Sequence, residues 1–316
     1  MGWSVTVRLT SVEGRDYSIP VADGEFWVCL IFGWGRRMVT ITNETVSHAI
    51  DYILEHIGEE LSVEDVAAHC HFSKYYFSRM FKEQTGESVY AFIRRMKVEQ
   101  SAFRLKVEPK RSVTDIGYAF GYSPSNYSWL FRQKYQTNPV NFRRNSYEET
   151  IRHPFFHNTY SQMESFAECD RKITVQMLPD YHVIYERRIG SYRHLSGQWH
   201  DFMEKYREYV TDDTLFFERT FDDPAITDKD GCLYDICMSV GDDAPFENIC
   251  TLAGGKCVVY SYKGLGKHIY AAYQTIFTVW LPRTAYVLDN RSGFDIYRMV
   301  DEKSGYMELD ICLPVK

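Results

Sequence analysis

One residue pattern occurs twice in this chain of 316 residues, with a single offset of 50 between the copies. The first copy runs Val63-Glu64-Asp65-Val66-Ala67, then Phe72-Ser73, Phe77 and Phe81-Lys82. The second runs Val113-Thr114-Asp115-Ile116-Gly117, then Tyr122-Ser123, Tyr127 and Phe131-Arg132. Asp65 matches Asp115, Ser73 matches Ser123, Phe77 matches Tyr127, Phe81 matches Phe131 and Phe92 matches Phe142. One offset held over so many positions implies two similar units. Each reads as a helix-turn-helix that sets one helix into a major groove.

The local signals agree with that reading. Residues 46–58 carry apolar side chains at helical spacing, with Gly58 as the expected C-cap. Ser62 caps a short helix and Asp65 completes a capping box. Ser73 caps the helix 74–83, which ends at Thr85-Gly86, where glycine suits a left-handed residue. A long helix over 89–105 suits a rigid connector between two readers. Pro109 and Lys110-Arg111 break it. In the second unit, 113–120 forms the first helix, Gly121 the turn and Ser123 the cap of the helix 124–135. Pro124 falls at the first helical position, where a missing N–H costs nothing.

Each second helix sorts its residues by face. Phe77, Met80 and Phe81 point to the core in one copy, and Tyr127, Leu130 and Phe131 in the other. The remaining positions are Ser73, Lys74, Tyr75, Ser78 and Arg79 in the first, and Ser125, Asn126, Ser128, Trp129 and Arg132 in the second. Hydrogen-bonding side chains with one or two cations are what base edges and flanking phosphates require. The plain alternative is the solvated face of a helical bundle.

The net charge of −7 speaks against a nucleic-acid binder until it is divided along the chain. Residues 46–145 hold 14 Lys+Arg against 11 Asp+Glu, a net +3, while residues 168–316 hold 17 against 24, a net −7. The basic excess lies with the doubled motif. The acidic part repels nucleic acid and suits a cation. The chain is 45% apolar, enough for real cores, and lacks an apolar run long enough to span a membrane. The eight cysteines are scattered without a C-x-x-C pair, and suit reduced, mostly buried thiols in a cytosolic protein. Cys232 and Cys237 with His182 or His200 have the wrong spacing for a zinc site.

The doubled segment resembles the AraC-type DNA-binding domain. The resemblance rests on Asp65-Val66-Ala67, His69, Phe72-Ser73, Tyr76-Phe77-Ser78-Arg79, Phe81-Lys82 and Thr85-Gly86. It continues through Asp115-Ile116, Tyr118-Ala119, Gly121-Tyr122, Tyr127, Phe131-Arg132, Pro139 and Phe142-Arg143. It covers about a hundred residues, 46–145. The resemblance implies that residues 73–79 and 125–132 enter successive major grooves on one face of double-stranded DNA. Gln136 stands where the family usually has glycine, so that turn must adopt a negative φ or bear strain.

From Lys172 onward the pattern changes to alternation, as in residues 182–188, 256–262 and 306–315, which read as strands. Helical stretches are expected over 192–210 and 267–281. A second repeat appears at an offset of 75: Val183-Ile184-Tyr185 with Val258-Val259-Tyr260, Phe202 with Phe277, and Asp235-Ile236-Cys237 with Asp310-Ile311-Cys312. Two strand–helix–strand–strand units side by side leave a cleft suited to a small molecule.

This half resembles the GyrI-like (AraC effector-binding, BmrR-type) domain. The resemblance rests on Tyr185 and Gly190, on residues 233–238, 280–286 and 294–297, and on the closing 309–315. It implies an effector pocket in which an acidic residue of the F-x-I-Y motif, usually Glu, pairs with cations. That position is Asp295 here. Trp199, Phe202, Tyr234, Tyr262, Tyr273, Phe277, Trp280 and Tyr297 are the candidate aromatic walls, suited to a lipophilic cation. Each alone could equally be ordinary core. Glu308 is a weaker acidic candidate.

The expected architecture is multidomain. An all-α tandem helix-turn-helix domain (46–145) precedes an α+β domain of two repeated strand–helix–strand–strand units (171–316), joined by a linker (146–170). Residues 1–45 are expected to be a weakly ordered extension, with hairpins about Gly14 and about 33–35 as the alternative. The expected function is a cytoplasmic, sequence-specific DNA-binding regulator controlled by a small, cationic or aromatic effector. RNA polymerase is a further partner, and no membrane, cofactor or metal is involved. The alternatives are a constitutive DNA-binding regulator whose C-terminal domain binds a protein, and a GyrI-like small-molecule hydrolase. No Ser/His/Asp or Cys/His catalytic constellation stands out by spacing.

Overall fold

Side-chain caps set where the helices of the first half begin. In the computed structural model, which describes residues 5–10, 16–21, 38–152, 163–228, 230–241 and 243–316, Asn43 caps α1 (Glu44–Glu55) and Ser62 caps α2 (Val63–His69). Ser73, Ser88, Ser112 and Ser123 cap α3 (Lys74–Thr85), α4 (Val89–Val107), α5 (Val113–Ala119) and α6 (Pro124–Tyr135). Each cap sits in extended backbone and accepts from an N–H of the first turn, a contact that stabilises a helix by about 1 kcal/mol. Asp65 returns the favour to Ser62, completing the capping box. The seventh helix, α7 (Pro139–Arg152), carries the chain into the segment expected to be a linker.

One expectation about chain breaks needs correction, and another is decided between its alternatives. The first helix runs 44–55 and ends at His56, so Gly58 is not its cap. Gly58 instead lies against the end of α5, where an added Cβ would come within 2.8 Å of the Ala119 carbonyl oxygen. Gln136 adopts φ 55° and is left-handed, like Gly86 at φ 79° in the first unit, so this turn keeps its shape and bears the strain.

The two units build two cores. Val46, Ile50, Val66, Phe77, Phe81, Phe92 and Met96 pack in the first. Val98, Ala102, Leu105, Ile116, Tyr127, Leu130 and Phe131 pack in the second. The edge-on pair Phe81–Phe92 (5.4 Å) recurs as Phe131–Phe142 (5.0 Å), at the sequence offset of the repeat. Helix α4 feeds one core from each end, which makes it a stiff spacer. Met80, expected in the core, is only partly buried.

The second half is a nine-stranded antiparallel sheet. Its strands are β3 (Val39–Ile41), β4 (Ile173–Leu178), β5 (Tyr181–Gly190), β6 (Phe216–Thr220), β7 (Cys232–Ser239), β8 (Ile249–Leu252), β9 (Gly255–Leu265), β10 (Phe294–Asp301) and β11 (Tyr306–Pro314). The order is β3-β5-β7-β6-β10-β11-β9-β4, with β8 also on β5. Helices α8 (Phe166–Asp170), α9 (Leu195–Tyr206) and α10 (Ile269–Thr275) accompany it, and α10 runs on into a π-helical turn, Ile276–Trp280. Along each strand, alternate residues serve opposite faces. Tyr234, Ile236, Tyr260, Tyr297, Leu309 and Ile311 meet Phe202 of α9 and Ile276, Phe277 and Trp280 after α10. Tyr185, Phe217, Cys237, Phe294, Ile296 and Cys312 form the core of the other face.

The extension expected to be weakly ordered contributes to this sheet. Val39–Ile41 pair antiparallel with Ile189–Arg187 at the edge of β5. Two further strands, β1 (Val5–Thr10) and β2 (Asp16–Val21), pair antiparallel on either side of Gly14. The hairpin considered about 33–35 falls outside the described residues. So does 153–162 of the expected linker, whose remaining ends lie in α7 and α8.

Candidate DNA interface and effector site

Amphipathic spacing on α3 and α6 buries one side of each helix and leaves the opposite side open. On α3, Phe77 and Phe81 are buried while Lys74, Tyr75 and Arg79 are exposed, Tyr75 at 82%. On α6, Ser125, Asn126, Trp129 and Arg132 are exposed and Tyr127, Leu130 and Phe131 are buried. Ser78 and Ser128 are half-buried at the rims. The Ser73 hydroxyl is engaged as a helix cap, accepting from the Tyr76 N–H. Lys74 pairs with Glu64, and Arg79 lies 3.7 Å from Glu83, both on the surface, where salt and phosphate compete readily. A residue that the sequence reading missed, Arg94 on α4, lies over the Trp129 ring at 5.5 Å. The connector thus braces a side chain of the second reader.

At the middle of the sheet, β6 and β10 pair so that Glu218 stands directly opposite Asp295. Both are buried, at 4% and 3% exposure. The Tyr297 hydroxyl donates to Glu218 Oε2 at 2.9 Å. The Tyr273 hydroxyl lies 2.5 Å from both oxygens of Asp295 and donates to that carboxylate. Trp199 packs edge-on to Tyr297 at 5.3 Å, with Phe202 behind it at 5.8 Å. Phe277 lies 5.8 Å from Tyr273.

Six of the nine sequence-derived positions therefore gather here: Trp199, Phe202, Tyr273, Phe277, Asp295 and Tyr297. The other three are engaged elsewhere. Tyr234 donates to Gln198 and stacks on Tyr192. Tyr262 donates to the Leu265 carbonyl. The Trp280 indole donates to Asp170. Glu308, the weaker acid, pairs with Lys263. Glu218 was not foreseen.

Burial decides the electrostatics of this pair. Glu218 is pushed up from 4.5 to about 7 by burial, held back in part by Tyr297 and Trp199. Asp295 is raised by burial and then by the neighbouring Glu218 charge, against the Tyr273 hydrogen bond. Three other buried acids are served differently. Asp235 meets Arg187 and Arg219, Glu99 meets Arg95 and Lys134, and Asp223 meets Lys106. Among the described residues, no Lys or Arg forms an ion pair with Glu218 or Asp295.

A helix-turn-helix family model matches residues 66–145, and a model described as a GyrI-like small molecule binding domain matches residues 171–316. The chain carries an AraC-type helix-turn-helix domain followed by a C-terminal GyrI-like domain. It is 24% identical over 279 residues to the right origin-binding protein of Escherichia coli (strain K12), a match covering 83% of this chain and 94% of that one. It is 25% identical over 262 residues to the transcriptional regulator Rob of Salmonella typhimurium, covering 79% and 89%. Regulatory protein PocR of the same species is 36% identical over 119 residues, 37% of this chain and 38% of that one. The first two likenesses span both the helix-turn-helix and the GyrI-like domain. Among the described residues, no helix is long and apolar enough to cross a membrane.

In this chain the helix-turn-helix half and the GyrI-like domain are bolted together on both faces of the sheet. On the face away from α9 and α10, Arg187 makes two hydrogen bonds to Asp235, at 2.8 and 3.0 Å. It also reaches Asp51 and the Ser47 carbonyl of α1, at 2.7 and 2.8 Å. Arg219 joins the same carboxylate, and the two guanidinium groups hold the Asp235 pKa below its ordinary value despite burial. On the other face, Lys106 of α4 lies 2.7 Å from Asp223 and also donates to Gln274, which donates to Asp223 at 3.0 Å. Phe103 of α4 meets Phe277 edge-on at 4.9 Å. Sequence reasoning missed these contacts, of which those made by α1 and α4 join residues more than a hundred apart.

Proposed function

We propose that this regulator is switched by a cationic effector bound between Glu218 and Asp295. The observation that carries the reading is a pair of buried, facing acids that form no ion pair among the described residues, whereas Asp235, Glu99 and Asp223 each have one. A buried charge that lacks a partner is costly, and the acids take up protons instead. A cation under aromatic rings supplies the missing charge and adds cation–π attraction. Half-buried Trp199 and Tyr273 mark the way in. We read the sheet as two strand–helix–strand–strand units, β5-α9-β6-β7 and β9-α10-β10-β11. They meet at β6 and β10, so the acids lie where the two units join.

The route to DNA follows from adjacent residues. Tyr273 binds Asp295, and the next residue, Gln274, holds Lys106. Phe277, one turn further on, packs against Phe103. A cation that takes over Asp295 alters the Tyr273 bond and loads α10, and α10 is packed on α4, the spacer between the two readers. Lys74, Tyr75, Ser78 and Arg79 of α3 then read one groove, and Ser125, Asn126, Ser128, Trp129 and Arg132 of α6 the next. Ser73 supports the first set as its cap.

A thermal-shift screen of organic cations against the full chain tests the effector reading, since ligand bound to the native state raises its melting temperature. Cations that stabilise wild type should lose most of that effect on Asp295→Asn. Equal shifts for both proteins would remove Asp295 from the site.

A further inference from the structure

The cross-strand register says more about the head group than its charge. Residues directly opposite on an antiparallel pair hold their Cβ atoms about 4.5–5.5 Å apart on one face. Glu218 and Asp295 are such a pair, and each receives a tyrosine hydroxyl, from Tyr297 and Tyr273. An ionised carboxylate offers roughly four acceptor positions, so one hydroxyl each leaves much of that capacity open. Resting on the reading of this site as a cation site, we propose that the pair recognises a head with N–H donors on two sides, bridging both carboxylates. An amidinium, a guanidinium or a primary ammonium meets that requirement, and a quaternary ammonium does not.

The physical reason is the penalty on unmet acceptors. A quaternary head brings the charge but no donor, so it leaves buried carboxylate oxygens without hydrogen bonds. A bridging N–H head supplies charge-assisted bonds to both acids. A site built around buried polar groups rejects analogues that leave them unpaired. Proton balance follows the same geometry. Two facing, buried carboxylates share at least one proton while the site is empty. When the cationic head binds, that proton leaves to solvent and the carboxylate it held becomes an acceptor.

The test compares 2-naphthamidinium with 2-naphthyltrimethylammonium, which have the same ring and the same charge. Calorimetric titrations use the full chain as wild type, Glu218→Gln and Asp295→Asn at pH 7, in two buffers of different ionisation heat. Wild type should bind the amidinium about tenfold or more tightly than the quaternary cation, and release protons on binding. Glu218→Gln should abolish most of that preference and of the proton release, while weakening the quaternary cation less. Melting curves establish that the variants are folded. Equal or tighter quaternary binding by wild type, or an undiminished preference in Glu218→Gln, overturns the bridge and leaves the cation reading standing. Failure of both ions to bind wild type overturns the cation reading and the bridge with it.

Discussion

Replacing Glu218 with glutamine should stabilise the effector-free protein at pH 8 and do much less at pH 5. Burial lifts the folded-state pKa from 4.5 to about 7. An acid whose folded pKa is raised favours folding most when protonated. Its stability is therefore fully present below pH 4.5 and is lost as pH rises through about 7. Over that interval the loss reaches about 3 kcal/mol. At pH 5 the folded-state acid is still protonated while the unfolded one is about three-quarters ionised, and the penalty is about 1 kcal/mol or less. Glutamine keeps an oxygen for the Tyr297 hydroxyl and removes the charge. A gain of this size corresponds to about 5–10 °C in melting temperature for a domain of this length. Asp295 shifts in the same direction, and losing its charged neighbour adds to the gain. The assay is differential scanning calorimetry of both proteins at pH 5 and pH 8 without ligand. A Glu218→Gln protein that melts lower than wild type at pH 8, or gains equally at both pH values, would refute the argument that an unpaired buried charge sits there.

Three further outcomes follow from named contacts. Arg79→Ala and Arg132→Ala should each weaken DNA binding, either lowering the salt slope by about 1 or costing about 1–3 kcal/mol at one base position; unchanged affinity in both would mean that α3 and α6 are not the readers. Lys106→Met leaves Asp223 buried without its cation and should cost about 3–5 kcal/mol in urea unfolding, with Asp223→Asn recovering part of it in the double variant. Phe103→Ala should leave cation affinity and DNA affinity measurable but reduce the influence of one on the other, a result checked by titrating each ligand with and without its counterpart.

The tandem reader was legible because its determinants are local. Caps at Ser62, Ser73 and Ser123 and aromatic residues one or two turns away set each unit, and the repeat exposed them at one offset. Gly58 misled because a glycine near a helix end also serves wherever two backbones come close. Gln136, exposed and donating its side-chain amide to the Gln133 carbonyl, shows that a left-handed turn does not require glycine. The acid pair was half-legible. The offset of 75 aligns Asp295 with Thr220, whereas the sheet places Glu218 opposite it. Strand register answers to pleat and packing rather than to a fixed offset along the chain. The Arg187–Asp235–Arg219–Asp51 cluster and the Lys106 contacts were not legible at all. A buried ion pair between distant segments leaves no periodic mark in either segment.

The central claim, that a cation at Glu218 and Asp295 governs the DNA reader, is tested most directly by linkage. A duplex selected from a random pool by the full chain is labelled, and its affinity is measured by fluorescence anisotropy with and without 2-naphthamidinium, at concentrations that raise the melting temperature of the protein. Coupled sites of this kind typically shift each other's affinity about 5–150-fold. The account predicts a shift in that range for wild type and none for Asp295→Asn. The same DNA affinity for wild type with and without the bound cation would contradict it.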